Sequence, residues 1–336
     1  VTITAAGAIE ESGVDGAVDI DGEDLNLTAV TGIGHAATIE IDGFATGTHG
    51  LTATVTGTGN IDVSDETGWL RVLNAMTNDG SITIQATAGD LTVETATAGG
   101  ANNLTLTTVG GTRDITIQDL DATGDTVIIT ATGAIVDGGA GQEITAANAA
   151  LRATTGIGSG DALETTVSNL AFSNTTSGNV EISNTAGLTI NSVDGQATSS
   201  NVGAGTTTLT ASSPVTFAVN TSSGGNLTAN ATEDAGAATN DDVTVNAGVT
   251  VQSTAGDVTF NAGDDIVIAA TGVVQATAAG GDVTLNAGVG DNDNQATMTL
   301  DGTVSANTTN GVVTLNLGAG GAASPALQGA TGMITA

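Results

Sequence analysis

Apolar and polar residues alternate in short bursts along this chain, and the clearest burst repeats. It reads DVTVNAG from Asp242, DVTFNAG from Asp257, DVTLNAG from Asp282 and VVTLNLG from Val312. A period of two that stops at glycine marks a half-buried strand closed by a turn. In the first copy Val243, Val245 and Ala247 fall on one face, and Thr244 and Asn246 on the other. A strand of this kind cannot bury its apolar face alone and needs a like neighbour to stack on.

Further strand candidates include Leu51–Thr56, Ser81–Ala86, Asp90–Glu94, Leu104–Thr107, Asp114–Gln118 and Thr126–Ala131. Glycine, often after Asn or Asp, punctuates the gaps. Ala146–Arg152 (AANAALR) reads equally as a helical turn and as an alanine-rich strand. A longer repeat overlies the short one. VTITAAGAI at Val1–Ile9 returns as VIITATGAI at Val127–Ile135, and GNIDV at Gly59–Val63 returns as GNVEI at Gly178–Ile182. Duplication of a multi-turn block accounts for this, with blocks over residues 1–126 and 127–250 and regular turns over 242–336.

Between Val258 and Val283 lie two more strand phrases, around Ile266–Ile268 and Val273–Val274. A coil of about 25 to 30 residues with about three strands fits this spacing. The step from Val243 to Val258 is about half as long, so either one coil is short or one phrase has changed face. The predicted fold class is all-β: one continuous parallel β-solenoid of roughly a dozen turns. Tandem β-sandwiches are the rival, and the missing large aromatic residues count against them. Parallel stacking sets equivalent residues above one another. Asn246, Asn261, Asn286 and Asn316 therefore read either as an amide ladder along the axis or as turn formers at strand ends.

Composition narrows the interior. The aromatic residues are Phe44, Trp69, Phe172, Phe217 and Phe260, with no tyrosine. A thin core of Val, Ile, Leu, Ala and Thr is expected. Trp69 reads as a plug for a wider turn or an anchor for a flanking loop, with ligand stacking as a third role. The formal net charge is -33, from 36 acidic residues against Arg71, Arg113 and Arg152. Phosphate recognition needs basic residues, so no nucleic-acid partner is expected, and anionic membrane surfaces are disfavoured. With 39% hydrophobic residues in strand-length runs, the chain is not of the disordered acidic type. The absence of cysteine removes disulfides and thiolate metal sites. No run approaches the ~20 apolar residues of a transmembrane helix. The sequence opens inside a strand phrase and reads as a mature or excised segment.

GSITIQATAGDLTV at Gly80–Val93, the DVTxNAG phrases and the stretch Ala150–Ile190 resemble repeats of filamentous-haemagglutinin-type bacterial surface proteins. The similarity covers nearly the whole chain. This resemblance implies a right-handed parallel β-helix on the cell surface or released from it, acting as a stalk or adhesive fibre.

Residues suited to chemistry are few. His35 and His49 sit in glycine-rich turns without a patterned partner, and the three arginines are far apart in sequence. Neither the carboxylate–arginine site of pectate-lyase-like β-helices nor a Ser-His-Asp elbow is legible. The cluster Gly156-Ile157-Gly158-Ser159-Gly160 lacks the spacing, the helix and the lysine of a phosphate loop. No enzyme is expected. Ca²⁺ is the one cofactor with a sequence case. Asp19, Asp21, Glu23 and Asp24 place carboxylates around Gly22, with weaker clusters at Asp241-Asp242 and at Asp291 and Asp293. The alternative for DIDGED is a solvated acidic turn. Most of the sequons at Asn26, Asn103, Asn174, Asn220, Asn226, Asn230 and Asn307 follow from a composition rich in Asn and Thr, with glycan attachment on an exported surface as the alternative.

These features lead to the expectation of a structural or adhesive segment of a large exported protein, extracellular or on a bacterial surface. Its partners would be cell-surface or matrix glycans. The alternative is a self-assembling filament subunit, because Val1–Ala5 and Val313–Leu317 both read as strands with open neighbours.

Overall fold

The computed structural model describes residues 1–13, 16–43, 48–233, 240–290, 296–307, 309–318, 327–328 and 333–335. Among them there is no helix, 54% are strand, and within each unit the all-parallel ladders stack as a β-solenoid, with about 12 turns in all. Tandem sandwiches are excluded by this. Ala146–Arg152 lies within the strand Ile144–Ala153, so its helical reading falls. The chain divides into two units, Val1–Thr166 and Val167–Ala336.

In the second unit each coil gives one strand to each of three faces. The first face stacks Val180–Asn184, Thr207–Ala211, Leu227–Ala231, Val258–Ala262, Val283–Ala287 and Val313–Leu317. The second stacks Leu188–Ile190, Val215–Phe217, Val243–Val245, Ile266–Ile268 and Met298–Leu300. The third stacks Ser199–Asn201, Thr221–Ser223, Thr250–Ser253, Val273–Ala276 and Thr303–Ser305. The DVTVNAG phrase from Asp242 thus belongs to the second face, and its later copies to the first. The short step between Val243 and Val258 is a change of face.

Alternation decides what enters the core. Val258, Phe260 and Ala262 are fully buried, while Thr259 and Asn261 between them are half-exposed. The same two-residue pattern recurs in Val283–Ala287, with Val283 and Leu285 at 0% exposure. The core is not purely aliphatic as expected. Phe172, Phe217 and Phe260 are its largest buried side chains, and Phe217 stacks on Phe260 with ring centroids 5.6 Å apart. On the third face the inward positions are polar in the earlier coils. Asn174 donates to Asn201 Oδ1 at 2.9 Å, and Asn201 donates to Thr206 O at 3.0 Å. Ser223 donates to Asn226 O at 3.0 Å. These side chains face the corner that leads to the next strand and add a second hydrogen bond to carbonyls that already accept a backbone N–H, Thr206 O from Val180 N and Asn226 O from Thr207 N.

The first unit uses the same parallel stacking. Leu25–Ala29 pairs with Thr2–Thr4 and Leu51–Thr58, and Ile82–Ala86 lies between Ile61–Asp65 and Leu104–Thr108. Leu91–Val93 lies between the start of Leu70–Asp79 and Ile115–Ile117. The long strand Leu70–Asp79 pairs with both Leu91–Val93 and Ala96–Ala98 of the next coil, so one strand serves two faces.

A second contact fastens coil to coil. At many strand entrances an Asp or Asn oxygen accepts the backbone N–H of the equivalent position one coil later. Asp257 accepts from Asp282 at 2.9 Å, Asp282 from Val312 at 2.8 Å, Asp90 from Asp114 at 3.0 Å and Asn226 from Asp257 at 2.9 Å. The aspartate that opens each repeat phrase is therefore a clamp on the next coil. The predicted asparagine ladder also forms, with one change of member. Asn261 donates to Asn230 at 2.8 Å, Asn286 to Asn261 at 2.7 Å and Asn316 to Asn286 at 2.7 Å. Asn246 is exposed on another face and takes no part. The rungs span 31, 25 and 30 residues, which shows how far loop length varies while register holds.

Replacing Asn286 by alanine removes two rungs, leaving the half-covered Asn261 Oδ1 without its donor and the Asn316 amide without its acceptor. It is expected to lower stability by about 1 to 3 kcal/mol, whereas Asn246→Ala changes it by less than about 0.5 kcal/mol. Urea midpoints of the two variants check this, and equal shifts would contradict the ladder.

Candidate functional site

The predicted calcium turn is only partly assembled. Asp19 joins Glu11 and Glu40, each offering a carboxylate oxygen within 4.8 Å of the others. Asp19 N donates to Glu40 O at 2.7 Å, and Glu40 N donates to Asp19 Oδ2 at 3.2 Å. Burial, then the Glu11 charge, raises the Glu40 carboxyl above its ordinary value. Asp21 is exposed beside Asp42 in register, and Glu23 is exposed. Asp24 instead meets His49 one coil later, Nδ1 to Oδ2 at 2.8 Å, and this hydrogen bond holds its carboxyl below the usual range. No three of the four predicted ligands share one such cluster. His35 is exposed in its turn. Asp291 and Asp293 lie outside the described residues.

Burial concentrates elsewhere, on Asp65 and Glu143, which the sequence reading passed over, and around the Asp241-Asp242 pair that it named. Asp65 ends the strand Ile61–Asp65 at an inward position, in register with Ala86 of the next coil, and is 0% exposed. Its Oδ1 accepts from Gly43 N at 2.9 Å, and its Oδ2 is buried without a hydrogen-bond partner. Burial pushes its carboxyl up to about 7, with Asp42 and Glu66 adding repulsion. Glu143, likewise 0% exposed, is pushed up to about 8 by burial. In the second unit Asp241 and Asp264 are nearly covered, and Asp242 is pushed up to about 6 by burial and then by the charges of Asp265, Asp264 and Asp241. The signal was present in the sequence: in IDVSD, Asp65 falls on the parity of Ile61 and Val63.

The outward face of one stack forms a groove of about 370 Å³ with an aromatic side chain at its edge. Trp69 is 60% exposed, so it neither plugs a coil nor packs under a loop. It precedes the strand that begins at Leu70. A Cβ on Gly89, one coil later, would stand 1.6 Å from Gly68 O and 2.7 Å from the indole Cδ1, so glycine is required there. Outward rows on three successive strands line the rest: Arg71, Thr92 and Thr116 in one row, with Asp90, Glu94 and Gln118 beside them. Arg71 Nε donates to Glu94 Oε1 at 2.7 Å across the coil step. A second groove, of about 350 Å³, is lined by neutral hydroxyl and amide side chains such as Ser222, Asn220 and Gln252. Among the sequons, Asn174 is fully buried and bonded within the corner, which removes it as a glycan acceptor in the folded state.

Neither family models, nor curated proteins, nor solved structures match the chain.

Asp65 has a folded-state pKa above its unfolded one, so the unfolded chain releases this proton first as pH rises. Stability is then lost between about pH 4 and pH 7, by up to about 4 kcal/mol, and the loss levels off above pH 7. Asp65→Asn keeps the acceptor for Gly43 N and lacks the charge. Its melting temperature relative to the parent chain is expected to climb through that window; a constant difference from pH 4.5 to 8 would contradict this.

Proposed function

We propose that this chain is a non-enzymatic structural and adhesive segment of a large exported protein, extracellular or on a bacterial cell surface. The observation that supports it most is the in-register stacking of coil on coil within each unit, which frees every outward row for solvent or ligand. Such a scaffold tolerates loop insertion and single outward substitutions without losing its core. The acidic coat supports an environment in which salt screens self-repulsion.

The adhesive half of the reading rests on the Trp69 groove. An exposed indole beside a polar floor that contains an Arg–Glu pair suits a sugar ring, whose apolar face stacks while its hydroxyls bond to carboxylate, amide and hydroxyl groups. A cell-surface or matrix polysaccharide is the ligand class. Trp69 is the single tryptophan, so its emission reports binding directly.

In a polysaccharide panel, a ligand that shifts Trp69 emission is expected to lose at least tenfold in affinity on Trp69→Ala, with an unchanged melting temperature. A panel that leaves emission untouched, or a Trp69→Ala chain that binds as the parent does, would defeat the adhesive reading. Antibody labelling of intact producing cells tests location separately: signal is expected without permeabilisation.

A further inference from the structure

The loop from Asp137 to Glu143 reads DGGAGQE and joins the strand Ile135–Asp137 to the strand Ile144–Ala153. It brings Asp137 and Glu143 to Glu164 of the next coil, so that one carboxylate oxygen of each lies within 4.8 Å of the others. Backbone pairing sets this approach. Glu143 N donates to Glu164 O at 2.9 Å, and Glu164 N donates back to Glu143 Oε2 at 2.7 Å.

On so anionic a chain an acidic cluster alone means little, and here a second feature accompanies it. Glu143 is 0% exposed, and its other oxygen, Oε1, is buried with no hydrogen-bond partner. That oxygen faces the glycine loop: a Cβ on Gly139 would stand 3.5 Å from it. The loop is held close to the coil before it, since a Cβ on Gly138 would stand 2.6 Å from Thr116 Cγ2. Gly139, Ala140 and Gly141 are exposed and leave this side open to solvent. The charges that act on Glu143 are those of Asp137 and Glu164, both negative. A covered carboxylate oxygen among like charges is costly unless a cation meets it.

We propose that Asp137, Glu143 and Glu164 form a binding site for a divalent hard cation of calcium's size, joining two successive coils. Ca²⁺ takes oxygen ligands at about 2.3 to 2.6 Å, so three oxygens about 4.5 Å apart reach one common centre, and those within 4.8 Å need little movement to do so. Mg²⁺, at about 2.0 to 2.1 Å in strict octahedral geometry, needs them closer. Three carboxylates supply the charge, and water entering beside Gly139–Gly141 completes the shell. In the Glu11–Asp19–Glu40 cluster Glu40 Oε2 is likewise buried without a partner, but Glu40 is 9% exposed where Glu143 is 0%. Bound cation would fasten the coil of Glu143 to that of Glu164 and so stabilise the folded chain alone.

Calorimetric titration of the whole chain with CaCl₂, in about 150 mM NaCl to screen diffuse counter-ion binding, tests the site. A saturable component is expected, at least tenfold weaker in Glu143→Gln and in Asp137→Asn, with Glu181→Gln, on an outward row outside both carboxylate clusters, as the parent-like control. Ca²⁺ is expected to raise the melting temperature of the parent by several degrees, more than equal Mg²⁺ does, and to leave the two variants unmoved. Glu143→Gln without Ca²⁺ should melt no lower than the parent, which shows that its fold is kept. Should that variant not fold, the half-exposed Asp137→Asn decides alone. No saturable component, variants that bind as the parent does, or equal response to both cations would overturn the proposal.

Discussion

Each coil of this chain is satisfied by the coils above and below it, and everything else follows from that. A lone strand such as Val258–Ala262 has no partner within its own coil. Its N–H and C=O groups pair with Leu227–Ala231 on one side and Val283–Ala287 on the other. Unpaired backbone groups under cover are expensive, so register is fixed wherever one face is buried. With register fixed, inward residues form columns, and a thin core suffices because each column is continuous. Loops are then free to vary. Rungs of one ladder separated by 31, 25 and 30 residues remain in line because the strands, and not the loops, set the stack.

The same constraint explains how so acidic a chain folds. Stacking places like residues about 4.8 Å apart, which for carboxylates means repulsion along the axis. Many of the aspartates offset this by accepting a backbone N–H from the next coil, as Asp90, Asp257 and Asp282 do. A hydrogen bond to a charged acceptor is stronger than a neutral one. Negative charge is thus partly a structural device, placed at strand entrances, and only partly a solvated coat. Asp65 and Glu143 also accept one neighbouring-coil N–H each, but burial leaves their second oxygen without a donor and raises their proton affinity.

Much of the fold was legible because a period of two, glycine punctuation and a recurring phrase are local signals. DVTFNAG at Asp257 and DVTLNAG at Asp282 do stack, residue on residue. Asn246 misled the ladder because its phrase has the same letters on another face, and face is a property of the whole coil. Trp69 was misjudged because a large apolar side chain is usually buried; here Leu70 takes the inward position, and Trp69 before it falls on the outward parity with Arg71. The site residues were the least legible. The pairing of Asp24 with His49, and of Glu143 with Glu164, depends on loop length in the intervening coil, which no short motif encodes.

Spin-label distances test the stacking most directly, and the absence of native cysteine makes labelling clean. Glu181, Thr208, Thr228, Thr259, Thr284 and Thr314 occupy one outward column, one per coil. With one label fixed at Thr314, the distance to a second at Glu181, Thr208 or Thr228 should shorten by about 4.8 Å per coil, from about 24 Å. Distances that do not fall in equal steps along that series would contradict parallel, in-register coils.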